Sequence, residues 1–162
     1  MDKNYLLIFM IFCYSIPIFL VCSNYKCNNS VSNIICDKNC KYIILFSMIL
    51  MGIGTIYYEI VRADIYSIIL ISFILVGIYG LIIINEYNKI HYIFATIVFI
   101  CIFLFMMRHC MLLKCNKILF GSLILQLLLI LLIVKNIDKN IFYSEVFYIL
   151  NFAFFYLYLH FL

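Results

Sequence analysis

The chain has 162 residues, of which 69% are apolar and 11% charged, with mean hydropathy +1.20 and a formal net charge of +4. Soluble globular domains run near half apolar and about a quarter charged, so a chain of this length has no means of hiding its apolar surface from water and its solvent is lipid. The positive charge is spread over short polar breaks without a basic tract, which argues against a nucleic-acid partner.

A helix needs roughly 20 apolar residues to cross the hydrocarbon core, and six stretches of this chain meet or approach that length. They run over residues 5–22, 42–61, 65–84, 90–107, 118–134 and 141–162. The first begins after Lys3 and contains Pro17; its ending in Val21-Cys22-Ser23 also admits a cleaved signal peptide, and the length of the run favours a retained helix. A polar loop over 23–41 follows. It holds Cys27, Cys36 and Cys40, with Cys22 at its edge, and the sequon Asn28-Asn29-Ser30. Clustered cysteines in a short loop suit an oxidising lumen, so these four are disulfide candidates with three full pairings open. Zinc is a poorer reading, because the spacing lacks a loop histidine.

The second span ends in Glu59 and Arg62, spaced for an i, i+3 ion pair, with Asp64 beside them. The third carries Gly77 and Gly80. The fourth opens on His91, and the polar stretch after it holds His109, Cys110 and Cys115. If that stretch is cytosolic, Cys110 and Cys115 are palmitoylation candidates, with ordinary free thiols the equal alternative. The fifth span is apolar except for Ser122 and Gln126, and the sixth carries Glu145 near its start and Asn151 deeper in. Polar residues at such depth commonly join helices.

The breaks between spans are short, so neighbouring helices run antiparallel. The expected fold is all-α: one polytopic transmembrane bundle of six helices in three antiparallel hairpins, filling residues 1–162. The unbroken run Leu127 to Leu132 lacks the alternation of barrel strands. Charge bias does not orient the bundle. Lys3, Arg62, Arg108, Lys114 and Lys117 fall on one side, and Lys26, Lys38, Lys41, Lys89, Lys135 and Lys139 on the other. The cysteine-rich loop points to a lumenal or extracellular first loop and cytosolic termini.

Parity places His91 and Glu145 in one leaflet, because the fourth and sixth helices start on the same side. An intramembrane carboxyl needs a partner or a purpose, so the two are expected either to form a polar site for a lipid headgroup or a proton, or to pin helices together. No Gly-rich phosphate loop, HExxH or GxSxG occurs. The three histidines lie in separate segments, so neither a metal nor a cofactor is expected.

Several residues carry a family resemblance. They are Gly52-Ile53-Gly54-Thr55 followed by Arg62, then Gly77, then His91-Tyr92-Ile93-Phe94-Ala95, then Ser144-Glu145. In these, in span count and in loop lengths, the chain resembles the Frag/DRAM/Sfk family of six-span membrane proteins, also described as the Cwh-like N-terminal domain. It departs from that family in a cysteine-rich first loop without proline and in Val146, where Trp is common. The resemblance implies lipid handling, either remodelling of GPI anchors or phospholipid distribution, or autophagy modulation at lysosomal membranes. It also implies residence in the ER, Golgi, lysosome or plasma membrane, and gives weight to His91, Glu145 and Arg62. The expected role is a non-catalytic accessory factor whose partners are membrane lipids, a membrane protein or a second copy of the chain. A lipid-remodelling enzyme, a small transporter and a structural viral or organellar membrane protein are the alternatives.

Overall fold

The computed structural model describes residues 3–25, 30–35, 40–84, 88–113, 116–135 and 142–162. The described residues form seven helices: α1 (Lys3–Ser23), α2 (Val31–Ile35), α3 (Lys41–Arg62), α4 (Ile65–Ile83), α5 (Lys89–Leu112), α6 (Lys117–Lys135) and α7 (Phe142–His160). All but α2 are long and apolar enough to span a membrane. At about 1.5 Å per residue, their 19 to 24 residues match a hydrocarbon core of about 30 Å. Large apolar side chains such as Phe19, Phe46, Tyr66 and Leu131 stay exposed around the bundle, as lipid-facing residues must. No β-strand occurs among the described residues.

The three hairpins pair α1 with α3, α4 with α5 and α6 with α7, and contacts of α3 with α4 and α5 with α6 join them. Two ends of the bundle follow: a terminal end, where Asn4 of α1 meets His160 of α7, and a first-loop end, where α2 lies. The helix α1 is an integral member. It buries Leu6, Leu7, Met10, Cys13 and Val21, and the Ser47 hydroxyl of α3 donates to its Cys13 carbonyl.

Local chemistry sets the helix starts. Asp64, Asn88 and Asn116 each accept from a backbone N–H two residues on, at 3.2, 3.0 and 3.0 Å, and so cap α4, α5 and α6. Ala63 ends α3 in the left-handed region, at φ 59°, so α3 reverses into α4 through Ala63 and Asp64 alone. The α4–α5 hairpin is close because Gly77 and Gly80 lack side chains. A Cβ on Gly77 would sit 2.5 Å from Val98 Cγ2, and one on Gly80 would enter the Phe94 ring.

The fourth long helix differs most from the expected span. α5 runs on to Leu112, five residues past the expected end, and takes in Arg108, His109 and Cys110. Arg108 pairs with Asp64 across the bundle end, and His109 and Cys110 are buried. Cys110 is 3% exposed inside the bundle, which corrects the expectation of a loop thiol open to acylation. Cys115 lies outside the described residues.

The first loop contributes α2, whose Val31 and Ile34 pack against Val21 of α1 and Phe142 of α7. Cys22 and Cys40 are free thiols, and Cys40 Sγ lies 3.4 Å from the Asn24 amide nitrogen. The structure thus gives no support to a disulfide between those two; Cys27, Cys36 and most of the sequon lie outside the described residues.

Candidate functional site

The densest chemistry lies at the terminal end, where five helices bring polar side chains together. Glu59 of α3 is fully buried. Its Oε1 accepts from the Tyr156 hydroxyl of α7 and lies 3.4 Å from Arg62 Nη1. Its Oε2 is buried with no hydrogen-bond partner. The expected Glu59–Arg62 pair is therefore present, at a loose distance, in a setting much drier than a solvated helix end.

Arg62 Nη2 lies 3.3 Å from His109 Nε2 of α5. His109 Nδ1 lies 3.0 Å from the Phe105 carbonyl, an acceptor only. The hydrogen is therefore on Nδ1, and Nε2 is a bare acceptor facing the guanidinium. Ser67 of α4, also fully buried, donates to Asp64 Oδ2 at 2.9 Å and lies 3.5 Å from the same Nε2. Arg108 forks onto Asp64 at 2.8 and 3.3 Å and stacks on the Tyr66 ring at 4.5 Å. Burial pushes the Asp64 carboxyl up, but hydrogen bonds from Arg108 and Ser67 and the Arg108 charge outweigh it and hold the group below its usual range. Beside this set, the Tyr58 hydroxyl meets His160 Nδ1 at 2.7 Å, and His160 Nε2 meets Asn4 Oδ1 at 2.9 Å. The imidazole thus ties α1, α3 and α7 together.

Ser67, His109 and Asp64 resemble a nucleophile set in composition but not in wiring. In a Ser–His–Asp triad the base takes the serine proton and the carboxylate holds the far imidazole nitrogen. Here the serine hydrogen goes to Asp64, the far nitrogen holds a backbone carbonyl, and Ser67 has no exposed surface. The cluster is arranged to hold helix ends and to exchange hydrogen bonds.

His91 and Glu145 share the first-loop end, as parity requires, but their described hydrogen bonds do not meet. His91 is buried, with Nδ1 2.9 Å from the Ile84 carbonyl at the end of α4. Glu145 is half-buried and accepts from the Val31 N–H at the start of α2, at 2.7 Å. Each secures a neighbouring segment: His91 closes the α4–α5 connection, and Glu145 anchors α2 over the bundle.

Deeper in the membrane, Ser122, Gln126 and Asn151 form one knot between α6 and α7. The Ser122 hydroxyl donates to Asn151 Oδ1 at 2.8 Å, and Asn151 Nδ2 donates to the Ser122 carbonyl at 2.9 Å and to Gln126 Oε1 at 2.5 Å. Gln126 Nε2 donates to the Tyr148 carbonyl at 3.2 Å, and the Tyr148 hydroxyl reaches the Phe99 carbonyl of α5 at 2.9 Å. The helix-joining role expected of these side chains is the one they perform.

An apolar cleft opens outward between α4 and α5. Its volume is about 500 Å³, lined by Leu70 and Phe73 on one side and by Ile93, Ile97, Ile100 and Leu104 on the other. Thr96 also lines it, with its hydroxyl turned back onto the Tyr92 carbonyl at 2.8 Å.

Sequence reasoning missed Arg108, His109, Tyr156 and His160 as members of the terminal-end cluster. Parity held the signal. Residues at the ends of α3, α5 and α7 and the starts of α1 and α4 share one side, and each of these segments carries an ionisable or hydroxyl group there. Among the described residues no group of His, Cys, Asp and Glu could hold a metal ion. No family model, curated protein or solved structure matches the chain.

Proposed function

We propose that this chain is a non-catalytic accessory protein of membrane lipid handling, and that its α4–α5 cleft takes an acyl chain of a membrane lipid. The cleft is the observation that carries the reading. It falls within the roughly 300–1,000 Å³ of pockets that hold small molecules, at about 500 Å³. Its wall on α5, from Ile93 to Leu104, rises about 16 Å, half the hydrocarbon core, and it opens where lipid tails lie. Lipid tails are as apolar as leucine, so affinity there comes from shape. The groove bordered by Leu70, Phe73 and Leu104 is shallow and open, so an acyl chain would lie along it rather than be enclosed.

The resemblance to the Frag/DRAM/Sfk family supports the same role and extends it to GPI-anchor or phospholipid organisation, or to autophagy modulation at a lysosomal membrane. An endomembrane or plasma-membrane location, with cytosolic termini and the first loop lumenal or extracellular, belongs to this reading. A lipid-remodelling enzyme using His91 and Glu145 as acid and base is less well supported, because the two groups are committed to different backbone partners.

Native mass spectrometry of the protein released from membranes tests the proposal. A lipid is expected to stay bound to the wild-type chain and to be lost from Ile97→Trp, which fills the cleft. Equal retention by both proteins, or none by either, overturns it.

A further inference from the structure

We propose that His109 Nε2 is a proton-binding site whose occupation moves Arg62 from His109 onto Glu59. Two acceptors in the terminal-end cluster stand in a special relation. His109 Nε2 is bare and accepts from Arg62 at 3.3 Å, because Nδ1 is committed to the Phe105 carbonyl at 3.0 Å. Glu59 Oε2 is buried and accepts from nothing, although Arg62 Nη1 already lies 3.4 Å from its Oε1. One guanidinium thus serves two acceptors on different helices and leaves one buried oxygen unserved.

A proton arriving on Nε2 from water turns that nitrogen from acceptor to donor. It then opposes the Arg62 N–H and carries a charge beside two arginines. Its new acceptor is already present: Ser67 Oγ lies 3.5 Å away, and its own hydrogen is directed to Asp64 Oδ2 at 2.9 Å. Arg62, displaced, stays three residues from Glu59 on α3 and closes on Oε2 as well as Oε1. That fork is the stronger form of an arginine–carboxylate contact, and it satisfies the oxygen left over in the unprotonated state. The proton therefore exchanges a tie between α3 and α5 for one between α4 and α5.

Charged and polar groups meet His109 from three helices. Arg62 faces it from α3, with Glu59 behind the guanidinium, Ser67 and Asp64 from the start of α4 and the turn before it, and Arg108 and the Phe105 ring from α5 itself. Tyr156 of α7 holds Glu59 and stacks on Phe105. Among the described residues, α1 and α6 place no charged side chain in hydrogen-bond contact with the imidazole. With both carboxyls ionised, Glu59 and Asp64 balance Arg62 and Arg108, and the added proton then gives the cluster a net charge of one. Arg62 and Asp64 are partly exposed at the terminal end, which gives that charge access to water. This proposal is independent of whether an acyl chain fills the α4–α5 cleft.

Nitrogen NMR of the protein in lipid nanodiscs, labelled at histidine and arginine, reads both parts between about pH 8 and about pH 4, a window extended to the acid side of the ordinary imidazole range because burial and the two neighbouring arginines disfavour the imidazolium. At the upper value His109 is expected to show one bare ring nitrogen. That resonance disappears on acidification, and the Arg62 side-chain resonances shift with the same midpoint. In Glu59→Gln the His109 titration persists and Arg62 still responds as it leaves Nε2, but by a smaller shift because the fork onto a carboxylate is gone, with unchanged His91 resonances reporting an intact fold. The proposal is overturned if His109 keeps its bare nitrogen at the lower value or if Arg62 does not follow the titration. An Arg62 shift of equal size in Glu59→Gln and the wild type also overturns it, and because the first two readings use the wild-type chain, a misfolded variant does not rescue it.

Discussion

Replacing Asn151 by leucine removes the centre of the α6–α7 knot while keeping the branched heavy-atom skeleton of the side chain. Three interhelical hydrogen bonds are lost: one from the Ser122 hydroxyl, one to the Ser122 carbonyl and one to Gln126 Oε1. In membrane proteins such bonds average about 0.6 kcal/mol each, because the separated helices find other partners. The groups left behind fare unequally. The Ser122 hydroxyl can turn back to a carbonyl of its own helix, and Gln126 keeps its bond to Tyr148. Only Gln126 Oε1 is stranded. Asn151→Leu is therefore expected to cost about 2 kcal/mol, roughly a thirtyfold change in the folded-to-unfolded ratio. Steric trapping in bicelles measures it, and a cycle with Gln126→Leu should return a coupling near 0.6 kcal/mol, about one bond's worth. A loss below about 0.5 kcal/mol in Asn151→Leu would show that the knot does not hold the hairpin, and the reasoning would fail.

Gly80→Ala should destabilise the bundle by about 1–3 kcal/mol as the Phe94 ring is forced aside, whereas Gly121→Ala, with nothing within 4 Å of the added methyl, should be neutral or stabilising; unfolding in mixed micelles separates them. Glu145→Ala should speed hydrogen exchange at the Val31 amide about tenfold, by loss of one charge-assisted bond, while amides in the middle of α6 stay unchanged; equal protection in both proteins would contradict the anchoring role. The Asp64 carboxyl is held below its usual range, so its contribution to stability is complete above the unfolded aspartate value of about 3.9 and is lost as pH falls through the lower folded value. Melting temperature in detergent at near-neutral and strongly acidic pH should show this loss in the wild type and a smaller one in Asp64→Asn.

The long helices were legible because spanning a bilayer leaves a one-dimensional mark: an uninterrupted apolar run of fixed length. The hairpins followed from the short breaks. The end of α5 was not legible, because Arg108 and His109 look like loop residues until Asp64, Tyr66 and Arg62 are known to meet them across more than 40 positions of sequence. Parity showed that His91 and Glu145 share an end, but sharing an end does not imply contact. α5 and α7 are not hairpin partners, and the Glu145 carboxylate meets a short helix in the first loop that no apolar run announces. The Glu59–Arg62 spacing was legible as an ion pair, but its dry setting was not, since the Tyr156 hydroxyl that covers Glu59 arrives from 97 residues away.

The most direct test of lipid binding is to reconstitute the chain with phospholipids carrying a photoactivatable group along the acyl chain and to map the adducts by mass spectrometry. Labelling concentrated on Leu70, Phe73, Ile97 and Leu104, and lost from those positions in Ile97→Trp, is the predicted result. Adducts spread evenly over lipid-facing residues such as Phe19, Phe46 and Leu131, with no excess in the α4–α5 cleft, would contradict it.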